Sequence, residues 1–152
     1  MNTLAGTREK HVKVLLVEDE VLIRDLITEA LIDEGFEVHA VGTADDALDR
    51  LATGTPVDIL FTDVNLPGGM DGAELARRAR ELRPDLPVMY TSGRRSVIEQ
   101  LAPVDGTMFL PKPYNPYDVG RLLDYLVAAK GITRSHPLRG NLPASGYDSL
   151  RQ

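Results

Sequence analysis

The chain has 152 residues, 43% hydrophobic and 26% charged, enough for one globular domain of ordinary size and too few for two. It contains no cysteine, which excludes disulfide frameworks, thiolate zinc sites and cysteine nucleophiles. The net charge of −6 is uneven: residues 131–152 carry +2 and residues 1–130 carry −8, an acidic body ill suited to a phosphate backbone, so direct DNA binding is not expected.

No apolar stretch is long enough to span a membrane. The first residues, Met1 to Arg8, lack the apolar region of a secretory signal. A cytoplasmic protein is expected, with a flexible N-terminal segment over 1–11. Three histidines, His11, His39 and His136, lie far apart and make a weak case for a histidine metal site.

The first element is Val12-Lys13-Val14-Leu15-Leu16-Val17, a nearly continuous apolar run typical of a strand buried on both faces. From about 20 to 34 the spacing becomes helical. Leu22/Leu26/Ala30 and Ile23/Ile27/Leu31 form two adjacent rows, and Gly35 stands where a helix C-cap belongs. A second strand covers 36–41. Thr43 then caps a helix whose apolar face is Ala44, Ala47, Leu48 and Leu51.

The alternation continues with a strand over 57–62, followed by a Pro/Gly-rich loop after Asp63. Asp71-Gly72 opens a helix bearing Leu75, Ala76, Ala79 and Leu82, and Pro84 and Pro87 bracket the return to a fourth strand over 88–91. Residues 93–106 offer only Val97, Ile98 and Leu101, which predicts a short, weakly held fourth helix. A fifth strand follows over 107–110. Asn115 as N-cap, with Pro116 at the first helical position, starts the last helix, with Val119, Leu122, Leu123, Leu126 and Val127 at helical spacing. After Lys130 no apolar period remains, so 131–152 is read as a mostly flexible tail.

Five strands alternating with five helices predict parallel βαβ units with right-handed crossovers, hence a three-layer α/β sandwich. In such a sheet every strand ends on the same edge, where ligands gather. The residues arriving there are Glu18-Asp19-Glu20, Asp63, Thr91-Ser92 and Pro111-Lys112-Pro113. Three carboxylates crowding one rim repel unless a cation with a taste for oxygen ligands holds them. Lys112 between two prolines would be fixed over the rim by a cis Lys112-Pro113 peptide.

These motifs carry a resemblance. Leu16-Val17-Glu18-Asp19-Glu20, the run from Asp63 to Gly72, Tyr90-Thr91-Ser92-Gly93 and Lys112-Pro113, in this order and spacing, resemble a bacterial two-component response-regulator receiver domain. The resemblance covers residues 12–130. It implies a doubly wound five-stranded parallel sheet of order 2-1-3-4-5 flanked by five helices, the flavodoxin-like or CheY-like sandwich.

The resemblance also implies roles. Asp63 matches the phosphoacceptor, which takes a phosphoryl group from a sensor histidine kinase or a phosphotransfer protein. Glu18, Asp19, Asp63 and the backbone carbonyl of Asn65 match the ligands of Mg²⁺ (or Mn²⁺). Lys112 would pair with a phosphoryl oxygen, Thr91 would turn its hydroxyl to the phosphate, and Phe109 matches an aromatic rotamer switch coupled to Thr91. Phosphorylation would repack the face of the fourth helix, fifth strand and fifth helix to control a downstream protein, and a homodimer through that face is a further option. The resemblance implies a signalling domain rather than an enzyme.

Three departures stand out. Glu18 occupies a place where aspartate is more usual, Phe109 replaces a frequent tyrosine, and Gly68-Gly69 make the loop after Asp63 one residue longer. The expected function is that of a stand-alone receiver, since 22 residues after Lys130 are too few for a helix-turn-helix. Two competitors are a non-phosphorylated scaffold and a phosphohydrolase with an aspartyl-phosphate intermediate. The latter needs an acid two residues after the nucleophile, where this chain has Asn65.

Overall fold

The computed structural model describes residues 11–93 and 106–131. Within them five strands and four helices follow one another: β1 (Lys13–Val17), α1 (Val21–Asp33), β2 (Glu37–Val41), α2 (Ala44–Ala52), β3 (Ile59–Asp63), α3 (Gly72–Leu82), β4 (Val88–Ser92), β5 (Thr107–Pro111) and α4 (Pro116–Ala129). Every strand pair is parallel, and the order across the sheet is β2-β1-β3-β4-β5. This is the expected doubly wound sandwich. The predicted fourth helix over 93–106, the N-terminal segment and the tail fall, but for their boundary residues, outside the described residues.

The period-two alternation of the strands builds two cores. Val14, Leu16, Ile59, Phe61 and Met89 point to one face and pack on Ile27 and Leu31 of α1 and on Val119, Leu122, Leu123 and Leu126 of α4. Leu15, Val17, Leu60, Val88 and Tyr90 point to the other, against α2 and α3 through Ala47, Leu51, Leu75, Ala76 and Ala79. Each fully buried aliphatic side chain contributes about 1.5–3 kcal/mol. In β1, β3 and β4 charged side chains are therefore confined to the strand ends, and because every pair is parallel the C-terminal ends meet at one edge.

Local signals set the helix ends. Thr43, Asp71 and Asn115 each accept a hydrogen bond from a first-turn backbone N–H, those of Asp46, Glu74 and Tyr117. At the end of α1 the Gly35 N–H bonds the Ile32 carbonyl and the Phe36 N–H bonds the Leu31 carbonyl. With Gly35 at φ +91°, this is a Schellman cap closed by Phe36 packing into the same core as Leu31.

Two expectations need correction. The third strand runs from Ile59 to Asp63, not 57–62, so Asp63 is its last residue. Asp58 accepts the Lys13 N–H on its own carboxylate at 2.9 Å, which starts the regular β1–β3 pairing only at Val14 and Ile59. In α1 the two apolar rows are unequally buried: Ile27 and Leu31 of one face the core, but of the other only Ala30 does, with Leu22 85% and Leu26 50% exposed. A helix lying on a sheet buries a stripe, and α4 beside it covers the Ile27–Leu31 side.

Candidate functional site

The site stands where β1, β3, β4 and β5 end together. One residue past β1, Glu18 is nearly fully buried; its N–H bonds the Val41 carbonyl, and its Oε2 accepts the Glu20 N–H at 3.1 Å. Burial pushes its carboxyl above the usual range, helped by a hydrogen bond with Asp19 and the charge of Asp63. The Glu20 N–H and the charge of Lys112 oppose this without cancelling it. Asp19 is exposed.

Asp63 ends β3 with only 6% of its surface exposed. Its Oδ1 accepts the Asn65 N–H at 2.9 Å, which folds the backbone back over the carboxylate, and its Oδ2 accepts from Lys112 Nζ at 2.6 Å. Lys112 follows β5, anchored by its N–H to the Ser92 carbonyl, and its bond to Pro113 is cis. Burial would lower its pKa, but the hydrogen bond to Asp63 and the charges of Asp63, Glu18 and Glu20 outweigh burial and raise it. Lys112 thus holds its proton, and a charged ammonium faces the acids.

Thr91 is the register partner of Asp63 across β3 and β4. It is 3% exposed, and its hydroxyl finds no hydrogen-bond partner. A buried polar group left so costs about 1–3 kcal/mol, and it leaves an unused donor on the strand paired with Asp63. Phe109, one strand further, stacks on Tyr90 at 5.4 Å between ring centroids and touches both cores. It is only partly buried, so its ring is not locked in place by packing on every side.

Sequence reasoning passed over Tyr114. Its ring tilts against Phe61, and its hydroxyl is, with that of Thr91, one of two buried side-chain polar atoms lacking a partner among the described residues. Burial and the charges of Glu18 and Asp63 push its phenol upward. Its position directly after Lys112-Pro113 was the available signal.

The loop after β3 has buried ends and an open middle. Leu66 and Met70 sink into the core under α3, whereas Pro67, Gly68 and Gly69 are exposed, with Gly68 at φ +95°. The added length at Gly68-Gly69 therefore bulges outward from the site.

The donors are hard oxygens, and a raised Glu18 carboxyl facing Asp63 is a field that a small divalent cation relieves, so the residues fit Mg²⁺. The convergence expected of Glu18, Asp19 and Asp63 is incomplete. Among the described residues no group of three or more acidic or histidine side chains is gathered closely enough to hold a metal as it stands. Lys112 and the Asn65 N–H occupy the Asp63 oxygens instead. Nor is any described helix long and apolar enough to cross a membrane.

Comparison with known proteins agrees with this architecture. A family model described as the response regulator receiver domain matches residues 14–124. The response regulator MprA of Mycobacterium bovis is 34% identical over 105 residues, 68% of this chain and 45% of that protein. The chain thus spans less than half the length of that curated relative. Among solved structures, a response regulator receiver protein from Sinorhizobium medicae WSM419 is 30% identical with a TM-score of 0.73, covering 80% of this chain and 98% of that one. A CheY-like receiver domain protein from Methanospirillum hungatei JF-1 is 28% identical with a TM-score of 0.67, covering 80% and 98%.

Proposed function

The chain belongs to the response regulator receiver domain family, and from that premise we propose that it accepts a phosphoryl group on Asp63 from a sensor histidine kinase or phosphotransfer protein in the cytoplasm. The observation that carries this reading is the Lys112 ammonium 2.6 Å from an Asp63 oxygen, with the unpartnered Thr91 hydroxyl on the paired strand. Receiver domains are signalling domains, so the product is a state of the protein rather than a released compound.

The mechanism follows from these groups. Asp63 Oδ attacks phosphorus in line with the phosphohistidine nitrogen; the O–P bond forms as the N–P bond breaks, the electron pair stays on that nitrogen, and the imidazole leaves neutral because its other ring nitrogen carries the proton. Glu18, Asp19, Asp63 and the Asn65 carbonyl would hold Mg²⁺, whose chemistry when bound is to neutralise charge on the transferring oxygens. Lys112 moves its donor from the Asp63 carboxylate to a phosphoryl oxygen, a change that costs no new burial of charge. Thr91 then satisfies its hydroxyl by donating to another of those oxygens. The added charge and acceptors draw both residues inward, and Phe109, only partly buried behind them, follows toward the space Thr91 vacates. The output is a changed face along β5 and α4 that controls a partner protein, with a homodimer through the same face as one form of that output. The −8 carried by residues 1–130 disfavours nucleic acid as the direct target of this domain.

Labelling with a radioactive small phosphodonor such as acetyl phosphate, with and without Mg²⁺, tests the reading. The wild-type chain is expected to take up label in a metal-dependent, hydroxylamine-sensitive form, and Asp63→Asn to take up none. Persistent label on Asp63→Asn overturns the assignment. Failure of the wild-type chain to label points to the scaffold, and rapid release of phosphate over many turnovers to the hydrolase.

A further inference from the structure

We propose that Arg24 is a positioning residue for this site, holding the Glu18 backbone through its carbonyl, and that position 42 is glycine to make room for the guanidinium. The inference rests on the acceptor reading above and deepens it. The β1 pairing ends at Val17, opposite Val41 and Thr62, so the Glu18 carbonyl lies one residue beyond the sheet's ladder. Arg24 reaches back from the first turns of α1, and its Nη1 donates to that carbonyl at 2.9 Å. Of the other ties on Glu18, its N–H to the Val41 carbonyl and its Oε2 from the Glu20 N–H involve backbone groups, and the hydrogen bond with Asp19 holds only its carboxyl. Arg24 is the side chain that sets where the acid's main chain sits.

Gly42 supplies an independent observation. Its backbone lies outside the left-handed region, so conformation does not require glycine there. Space does: a Cβ at 42 would stand 2.9 Å from Arg24 Nη1 and 4.0 Å from the Glu18 carbonyl oxygen. The neighbour it would strike is the far end of a flexible side chain, so the guanidinium yields and the backbone stays. A cavity of about 430 Å³ lined by Arg24, Val41, Gly42, Asp46, Asp49 and Arg50 can receive it, with two carboxylates to greet the displaced charge. Gly42→Ala therefore detaches Arg24 from Glu18 without removing it.

The test measures Mg²⁺ binding to the full unphosphorylated chain by titration calorimetry, alongside labelling by acetyl phosphate across a Mg²⁺ series. Arg24→Met is expected to weaken metal affinity about tenfold, as loss of a group supporting a ligand does. The metal concentration for half-maximal labelling should rise more than the maximal rate falls, a split that general loss of structure would not produce. Gly42→Ala should weaken affinity in the same direction by less, and the double variant should be no weaker than Arg24→Met alone, because the alanine has no guanidinium left to displace. Wild-type affinity in Arg24→Met, or additive effects in the double variant, overturns the proposal while leaving the acceptor reading intact. A wild-type chain that neither binds Mg²⁺ nor labels removes both. Should Arg24→Met not fold by circular dichroism, Gly42→Ala decides alone: unchanged affinity overturns the proposal and weakened affinity supports it.

Discussion

At the edge where the strands begin, Arg83 donates from one guanidinium nitrogen to the carbonyls of Leu51 and Thr55, Arg80 reaches the carbonyls of Leu86 and Gly106 and the Thr107 hydroxyl, and Asp58 takes the Lys13 N–H. At the edge where the strands end, Glu18 is buried with its pKa raised, and the hydroxyls of Thr91 and Tyr114 have no partner. Both edges are rich in charge. At the first, charge is matched to backbone groups that secondary structure leaves open, which stabilises the fold. At the second, Lys112 is set against the acids, a carboxyl is buried and two neutral hydroxyls are left without partners, which is a cost to stability and a readiness to bind. A sheet can carry the unbalanced edge because the opposite one, and the two cores between them, supply the surplus.

The largest effect should come where the rim meets the fold itself. Gly72 begins α3 against the end of β3, its N–H bonded to the Val64 carbonyl, and a Cβ there would stand 2.0 Å from the Asp63 carbonyl oxygen and 2.9 Å from the Val64 Cα. Intrinsic helix propensity favours alanine over glycine by up to about 1 kcal/mol. Overlap with immovable backbone outweighs it, and Gly72→Ala is expected to lose about 3 kcal/mol by urea denaturation. A neutral or stabilising result would show that α3 can slide away from Asp63, and with it the loop that positions the carboxylate.

Next comes the opposite edge. Arg83→Ala leaves two carbonyls without their charged donor, at 3.2 and 2.6 Å, and should cost about 2 kcal/mol while labelling of Asp63 is untouched. If labelling falls in step with stability, the two edges are coupled and the division of labour drawn above is wrong.

Smaller, and opposite in sign, is the effect of neutralising the rim. A carboxyl whose folded pKa is raised gives its full stabilisation below its unfolded value near 4.5 and loses it as pH rises through the folded value. Metal-free wild-type protein should therefore lose stability over that range, and Glu18→Gln should flatten the profile and gain melting temperature relative to wild type as pH rises toward 7. Equal shifts at pH 4 and pH 7 would mean that Glu18 is not the titrating group.

How much of this was legible beforehand depended on range. The caps at Thr43, Asp71 and Asn115 and the glycine stop at Gly35 act within five residues, so composition and spacing revealed them. The arrival of Asp63 and Lys112, 49 residues apart, at one edge followed from the parallel βα alternation, but strand order became legible only through the family resemblance, because no local rule sets a distant pairing. The buried side of α1 was not legible, since Leu22 and Leu26 match Ile23 and Ile27 in hydrophobicity and only the neighbouring helix decides between them. Arg24 and Gly42 were equally silent, because a missing Cβ has no signature until the guanidinium that needs the space is seen.

The smallest effect belongs to a third region, the outer face of α3. Glu74 is hydrogen-bonded by Arg77 at 2.6 Å and by Arg78 at 3.0 Å, and these contacts hold its carboxyl down to about 2. On geometry alone this acid is more heavily paired than Asp63. Its side chain is nonetheless 36% exposed and its partners more so, so water and salt screen each pair and the ordering of three long side chains offsets the attraction. A depressed carboxyl stabilises above its unfolded value and loses that contribution as pH falls through the folded one. Any contribution of Glu74 should therefore vanish between about pH 4.5 and 2 and already be faint at physiological salt. Glu74→Gln should leave the urea midpoint at pH 7 and 0.15 M salt unchanged within error. A clear loss there would mean that the network orders the start of α3 beside Asp71, and the line between structural and functional charge would have to be drawn along that helix as well as between the sheet's two edges.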